Sequence, residues 1–488
     1  MGKFKEPRQP RSQLCMLPPS LDEAVAEALD VRLLSEVMDR LDWREMEAEY
    51  AAIGCRAYAP KMMAKVLVYA YLKGVRSSRR IAEMVRYDTR MMWLAGGLTP
   101  DFHTLARFRK TKLERFEELF RGSVRLCMEM GLVAMREVAV DGTKLRANAS
   151  RKSLYDAKRI ERERAFVGKV LAEADAADAA DDAAFGDGDG TPEELRDPEK
   201  RKAKLDEIER RLKESGKKHL STSDPDSRLI KTSGGILPSY NVQAAVDAEQ
   251  QVIVGAYVTQ SESDHGQMAP MLDEVEANTG AKADVVLADS GYSDQRTHEA
   301  LAERAQDALI PPRAQRRKDE GYDAGRFVYA PDRNVYICPC GQELTPRRRL
   351  THNGCEYDVY EGVACKKCPL RVECIGSKDH CRRQLWRHTL AEAREQMRDR
   401  LKTAEGRELY AVRGRTVEPV FGQMKGNRGF VRLLLRGLAG VSAEVLLIFL
   451  AHNVMKCVQE QKRQAGLLLV HWGGLWRAVG RPLVAQKV

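Results

Sequence analysis

Histidine is scarce in this chain, nine among 488 residues, and no glycine-rich phosphate loop or Ser/His pair accompanies it. P-loop phosphate transfer and serine-type nucleophilic catalysis therefore have no sequence support. Long apolar runs are also missing. The longest, residues 445–451, falls far short of the roughly 18–20 residues of a membrane span. Residues 1–13 carry charges with no apolar stretch behind them, so no signal peptide is expected. These absences argue against a membrane or secreted role and for a cytoplasmic one, and no internal repeat of fixed period occurs.

Charge is present but unevenly spread. The formal net charge of +10 is modest for this length. Residues 171–200 hold eleven acids and two bases, whereas residues 381–440 hold fourteen bases and six acids. Solvated helix faces account for such runs in many proteins. A polyanion-facing surface, if one exists, is expected late in the chain, with a smaller basic tip at Lys3, Lys5, Arg8 and Arg11.

Periodicity divides the chain. Residues 20–132 read as helical: a capping box at Ser20–Glu23, a helix from Pro60 to Leu72 stopped near Gly74, and a third from Ser77 or Ser78 carrying Arg79 and Arg80. A helix-turn-helix aiming Arg79 and Arg80 at DNA and a plain helical bundle both fit this stretch. A capped basic helix follows from Asp101.

The period then changes. Residues 137–141 read as a short strand ending at Asp141. Alternation over 240–247 and β-branched residues over 252–258 predict a hairpin, 265–279 a helix, and 284–289 a buried strand ending at Asp289. A helix over about 294–304 and a short strand at 308–310 follow.

This order is that of a ribonuclease-H-like core, in which the first and fourth strands lie side by side and bring Asp141 to Asp289. A third acid is expected from a later helix. Glu418 fits, because Val417, Val420, Phe421 and Met424 share one face while Glu418, Gly422 and Lys425 share another. Three carboxylates form a hard oxygen site suited to two Mg²⁺ or Mn²⁺ ions. Asp247 and Asp264 are reserve acids, read first as hairpin and helix-start residues.

The strings Val138-Ala-Val-Asp-Gly-Thr-Lys144, Tyr240-Asn-Val-Gln-Ala-Ala-Val-Asp247, Leu287-Ala-Asp-Ser-Gly-Tyr292 and Val417-Glu-Pro-Val-Phe-Gly-Gln-Met-Lys425 resemble the DDE transposases of bacterial insertion sequences. The nearest branch is insertion-sequence family eleven eighty-two, with its cysteine-rich insertion. That resemblance implies Asp141, Asp289 and Glu418 as the catalytic triad and Lys425 as a phosphate contact. It also implies metal-dependent cleavage at the element's ends and transfer of the 3′ ends to target DNA. Tyr410 and Arg413 occupy the places of a family Tyr and Arg, one residue further from Glu418 than usual. Arg413 and Arg415 are further candidate phosphate contacts. Double-stranded DNA and at least a dimer on DNA are the implied partners, with no membrane. An inactive DNA-binding descendant and a nuclease without strand joining are the alternatives.

The expected architecture is α+β: a basic tail (1–19), a helical DNA-binding or assembly domain (20–132), a core from 133–147, 236–312 and 406–458, a charged helical insertion (148–235), a cysteine-rich insertion (313–405) and a tail (459–488). Seven of the eleven cysteines lie in 313–405. Cys338, Cys340, Cys365, Cys368 and Cys374 are candidate zinc ligands by spacing, with Cys355 and Cys381 nearby. Cys15, Cys55, Cys127 and Cys457 read as isolated thiols.

Overall fold

The computed structural model describes residues 20–25, 30–50, 57–169, 196–216, 218–232, 234–312, 326–352, 355–375, 382–389 and 391–479. The basic tip, the Gly186–Gly190 tip, Cys15, Cys55 and Cys381 lie outside them.

Seven helices come first: α1 (Asp30–Asp39), α2 (Arg44–Ala48), α3 (Pro60–Leu72), α4 (Ser78–Tyr87), α5 (Thr89–Leu94), α6 (Phe102–Thr111) and α7 (Leu113–Glu129). Their starts follow local chemistry. The capping box ahead of them forms, Ser20 and Glu23 exchanging hydrogen bonds of 3.1 Å each, but residues 21–25 make a turn and not a helix. Pro60 opens α3, and the Asp101 carboxylate accepts from the His103 and Thr104 amides to cap α6. Gly74, at φ +74°, turns the chain between α3 and α4.

The main sheet comprises β1 (Glu137–Arg146), β4 (Arg228–Thr232), β5 (Gly235–Asp247), β6 (Ile253–Thr259), β7 (Val285–Ala288) and β8 (Ala308–Leu309). Between β1 and β4 lies a ribbon of β2 (Leu154–Tyr155) and β3 (Leu220–Ser221). The strand order is β4-β5-β1-β7-β8, with β6 also on β5. β5 and β6 run antiparallel, while β7 lies parallel to both β1 and β8. That is the arrangement expected for a ribonuclease-H-like sheet. β1 does not stop at Asp141; it continues for five residues because Thr143 and Leu145 also turn inward, opposite Val242 and Tyr240.

Residues 157–169 (α8) and α9 (Arg196–Ser215) form a helical pair beside the ribbon. Within this charged stretch Ile160, Ile208, Leu212 and Leu220 close a small core of their own.

α10 (Met268–Thr279) and α11 (Gln295–Glu303) precede β7 and β8 respectively. A second, five-stranded sheet follows: β9 (Val328–Ala330), β10 (Val335–Ile337), β11 (Glu343–His352), β12 (Cys355–Gly362) and β13 (Gln384–His388), with α12 (Arg371–Ile375) before β13. Last come α13 (Ala391–Arg400), α14 (Ala404–Gly422) and α15 (Leu438–Val479).

α15 includes a stretch, Leu438–Gly466, long and apolar enough to cross a membrane, but 72% of its most apolar window is buried inside the protein. It packs on α3, α7 and β6. Buried Asn453 braces β6 by accepting from the Ile253 amide and donating to its carbonyl, at 3.0 and 2.9 Å. Cys127 and Cys457 are not isolated: their Sγ atoms meet 3.4 Å apart between α7 and α15, in the core.

One core therefore spans the helical region and the sheet. Its polar keystone is Glu444 on α15, whose side chain is fully buried. Glu444 pairs with Arg76 at 2.9 Å and accepts from the Leu434 and Leu435 amides. Arg76 also stacks over Phe430 and donates to the Arg432 carbonyl. Arg76→Met should lower stability by about 3 kcal/mol, since it strands a buried charge. Urea unfolding of the full chain measures this; a loss below ~1 kcal/mol would remove the keystone role.

Candidate active site

The site begins with strand register. β1 and β7 pair in parallel through Val140 and Ala288, and the next residue on each strand is Asp141 and Asp289. Asp289 leaves the strand and caps a short turn, its Oδ1 accepting from the Gly291 amide at 2.8 Å. Asp141 accepts from the Gly142 amide at the same distance.

α14 brings the third acid. Val417, Val420, Phe421 and Met424 are buried as the helical spacing predicts, holding the helix on the core. Pro419 neither starts nor ends α14, which runs through it. Proline has no amide to offer the Arg415 carbonyl, and that carbonyl instead accepts from Gln251 Nε2 at 2.9 Å. The hairpin tip thus replaces the missing helix bond beside Glu418.

Arg413 ties two of the acids together. Its guanidinium lies 3.1 Å from Asp141 and 3.7 Å from Glu418. The extra residue between Arg413 and Glu418 does not take Arg413 out of the site. Tyr410 also faces the cluster. Burial pushes its hydroxyl up; Arg413 works against this, while Asp289, Asp141 and Glu418 add to it. Glu418 remains 65% exposed on the outer side of Arg413.

Lys425 lies in the π-helical turn after α14, half-buried. Burial lowers its ammonium pKa, nearby Asp141 opposes this, and Lys144 adds to it. Arg415, Arg79 and Arg80 are not drawn in. Arg415 is exposed with no ion pair to the acids among the described residues; Arg79 stacks on Phe102, and Arg80 is exposed on α4.

Asp264 proves to be more than a helix-start residue. Its Oδ1 receives Lys144 Nζ at 2.9 Å and the amides of Asn241 and Gln243, each at 2.8 Å. Burial works to raise its pKa, and these donors outweigh burial, so the carboxylate is held below the usual range. Gln243 in turn accepts from the Tyr292 hydroxyl. Two glycines make room: a Cβ on Gly142 would sit 2.4 Å from Asp264 Oδ1, and one on Gly291 would sit 2.8 Å from Asp289 Oδ1 and 3.5 Å from Asp264 Oδ2. A glycine one residue after Asp141 and another two residues after Asp289 were the available signal for this crowding. Asp247, by contrast, is structural, buried and accepting the Met135 and Glu249 amides.

A family model described as "Transposase DDE domain" matches residues 337–458, and one described as "Transposase domain (DUF772)" matches residues 19–111. Both matches support a DDE transposase of the insertion-sequence type. The first match takes in Tyr410, Arg413, Glu418 and Lys425 but neither Asp141 nor Asp289; the second takes in α1 to α6. No curated protein and no solved structure matches the transposase.

DDE transposase domains generally use divalent metals such as Mg²⁺. The oxygen-only donors of Asp141, Asp289 and Glu418 suit such an ion chemically. Among the described residues, however, no three Asp, Glu, His or Cys side chains converge to hold one; Arg413 lies between Asp141 and Glu418. The electrostatics still favour a cation: burial, with Asp289 and Asp264 close by, pushes Asp141 up to about 6 despite Arg413.

The zinc expectation is not supported. Cys340 and Cys368 approach to 3.4 Å, and Cys338, Cys365, Cys368 and Cys374 line one small cavity beside the apolar cluster of Phe327, Leu344, Tyr360 and Leu385, but no three described thiols are arranged to hold an ion. The Cys340 thiol is pushed up by its contact with Cys368, and the Cys374 thiol by burial.

Asp141 carries a testable sign. Its folded pKa lies above the ordinary 3.8, so folding disfavours the charged form. The penalty is full above about pH 6 and gone below about pH 4. The shift, which already includes the Arg413 pair, corresponds to roughly 3 kcal/mol, and leaving Arg413 without its Asp141 partner in a variant takes back part of it. Asp141→Asn should therefore stabilise the chelator-treated protein by about 1–2 kcal/mol at pH 7.5, the difference closing near pH 4. Urea midpoints at the two pH values check this.

Proposed function

We propose that this transposase cleaves DNA at the ends of its insertion sequence and joins the freed 3′ ends to target DNA, as family eleven eighty-two members are expected to do. The observation that carries the reading is Arg413 set between Asp141 and Glu418, with Asp289 beside Asp141 at the end of the neighbouring strand and Lys425 close by. Asp141, Asp289 and Glu418 would hold Mg²⁺ or Mn²⁺. When bound, the metal supplies Lewis-acid activation of the attacking oxygen and charge neutralisation at the phosphate.

The remaining work falls to the chain. Asp141, crowded and desolvated, offers a carboxylate that gains from any cation placed beside it. Arg413 balances that charge in the metal-free protein and is placed to turn its guanidinium to a DNA phosphate when the carboxylates are otherwise neutralised. Lys425 offers a second phosphate contact as a point charge. Asp264 holds Lys144 beside the site. The helical stretch 20–132, with Arg79 and Arg80 exposed on α4, serves in this reading as the end-binding or assembly region, and two copies act on paired ends.

Asp289→Asn and Glu418→Gln should each lower strand cleavage by more than a thousandfold in Mg²⁺, with binding of the element's end changed less than threefold. Gel assays on labelled end duplexes measure both. Cleavage by either variant at the wild-type rate would sink the assignment.

A further inference from the structure

The second sheet uses one face as its core; the other is covered at Val359 and His388 and exposed at Arg348 and Trp386. On the inner face Phe327, Leu344, Tyr360 and Leu385 pack together, with Arg387 lying 3.6 Å over Tyr329 and paired to Glu395. Arg349, on the same side as Asp358, is likewise neutralised at 2.8 Å.

The outer face differs. Strand register places Arg348, Val359 and Trp386 in one row across β11, β12 and β13, and Leu350, Tyr357 and His388 in the next. Directly opposed residues share a face. The Trp386 ring meets His352 edge-on at 5.6 Å and Tyr357 at 5.9 Å, and remains 47% exposed. Arg347 sits in the β-bulge just before Arg348. Both arginines are exposed, and neither has an anionic partner among the described residues. A ring cluster beside two uncompensated guanidinium groups matches a nucleic-acid strand: phosphates for the arginines and an unpaired base for the Trp386 ring.

The position suits that role. β13 leads into α13, which docks on β8 through Arg400–Asp307 at 2.7 Å and Met397–Ile310 at 3.2 Å. β8 is the neighbour of β7, the strand that presents Asp289.

We propose that the outer face of this sheet, centred on Arg347, Arg348 and Trp386, binds a single strand of DNA next to the catalytic carboxylates. The inference rests on the transposase reading above, but its test does not involve cleavage. Binding of the full chain to a fluorescein-labelled strand of about twenty nucleotides is measured by anisotropy in EDTA at several salt concentrations. Trp386→Ala should weaken binding about tenfold or more, and Trp386→Phe should stay within about threefold of wild type. Arg347→Ala/Arg348→Ala should weaken binding and reduce the log–log salt slope by ~1.4, two phosphates' worth. Wild-type affinity and salt slope in both alanine variants would overturn the proposal, and so would equal losses in Trp386→Ala and Trp386→Phe, the mark of a fold defect. Because EDTA removes metal dependence, failure here leaves the carboxylate assignment untouched.

Discussion

Everything at the centre of this protein depends on the parallel pairing of β1 with β7. The pair ends with Val140 beside Ala288, so the next residue on each strand is an aspartate in the same small volume. Two acids brought there by backbone hydrogen bonds cannot relax apart without breaking the sheet. The strain appears as charge: Asp141 is desolvated, repelled by Asp289 and Asp264, and only partly relieved by Arg413. A site so arranged holds a standing demand for positive charge. Arg413 meets that demand in the metal-free protein, and Lys425 and Lys144 stand close behind it.

The rest of the fold keeps α14 in reach of that pair. Gln251, at the tip of the β5–β6 hairpin, bonds the carbonyl freed by Pro419, and its own carbonyl meets buried His452 of α15 at 2.8 Å. Burial holds the His452 ring neutral, its pKa pushed down to about 3. On the other side, Arg109 donates to the Tyr71 hydroxyl, the Arg76 carbonyl and the Ser78 hydroxyl. That contact fixes the α3–α4 turn from which Arg76 reaches Glu444. The two stretches matched by transposase family models thus share one apolar core and a buried ion pair across it.

Much of this was legible in the residues. Alternation at 240–247 and the β-branched run at 252–258 are strong local signals, and both strands formed where expected. The apolar face of α14 was equally plain, because it follows from helical spacing alone. The charge map was less reliable. Several arginines of the basic stretch 381–440 are spent internally, Arg387 on Glu395, Arg400 on Asp307 and Arg413 on Asp141, which no count of charges reveals. Asp264 was underestimated for a related reason: its partners Lys144, Asn241 and Gln243 come from two other strands, and only tertiary register brings them together. Cysteine spacing suggests convergence but does not enforce it: four of the thiols line one cavity, and two of them also pack against apolar neighbours.

The central claim is that the crowded carboxylates serve phosphoryl transfer between DNA strands. The most direct measurement is the joining of labelled, pre-cleaved 3′ ends of the element to a plasmid, with and without chelator. The account predicts joined product in Mg²⁺ and none in EDTA. Equal joining in EDTA, or no joining by a protein that still cleaves ends in Mg²⁺, would contradict it.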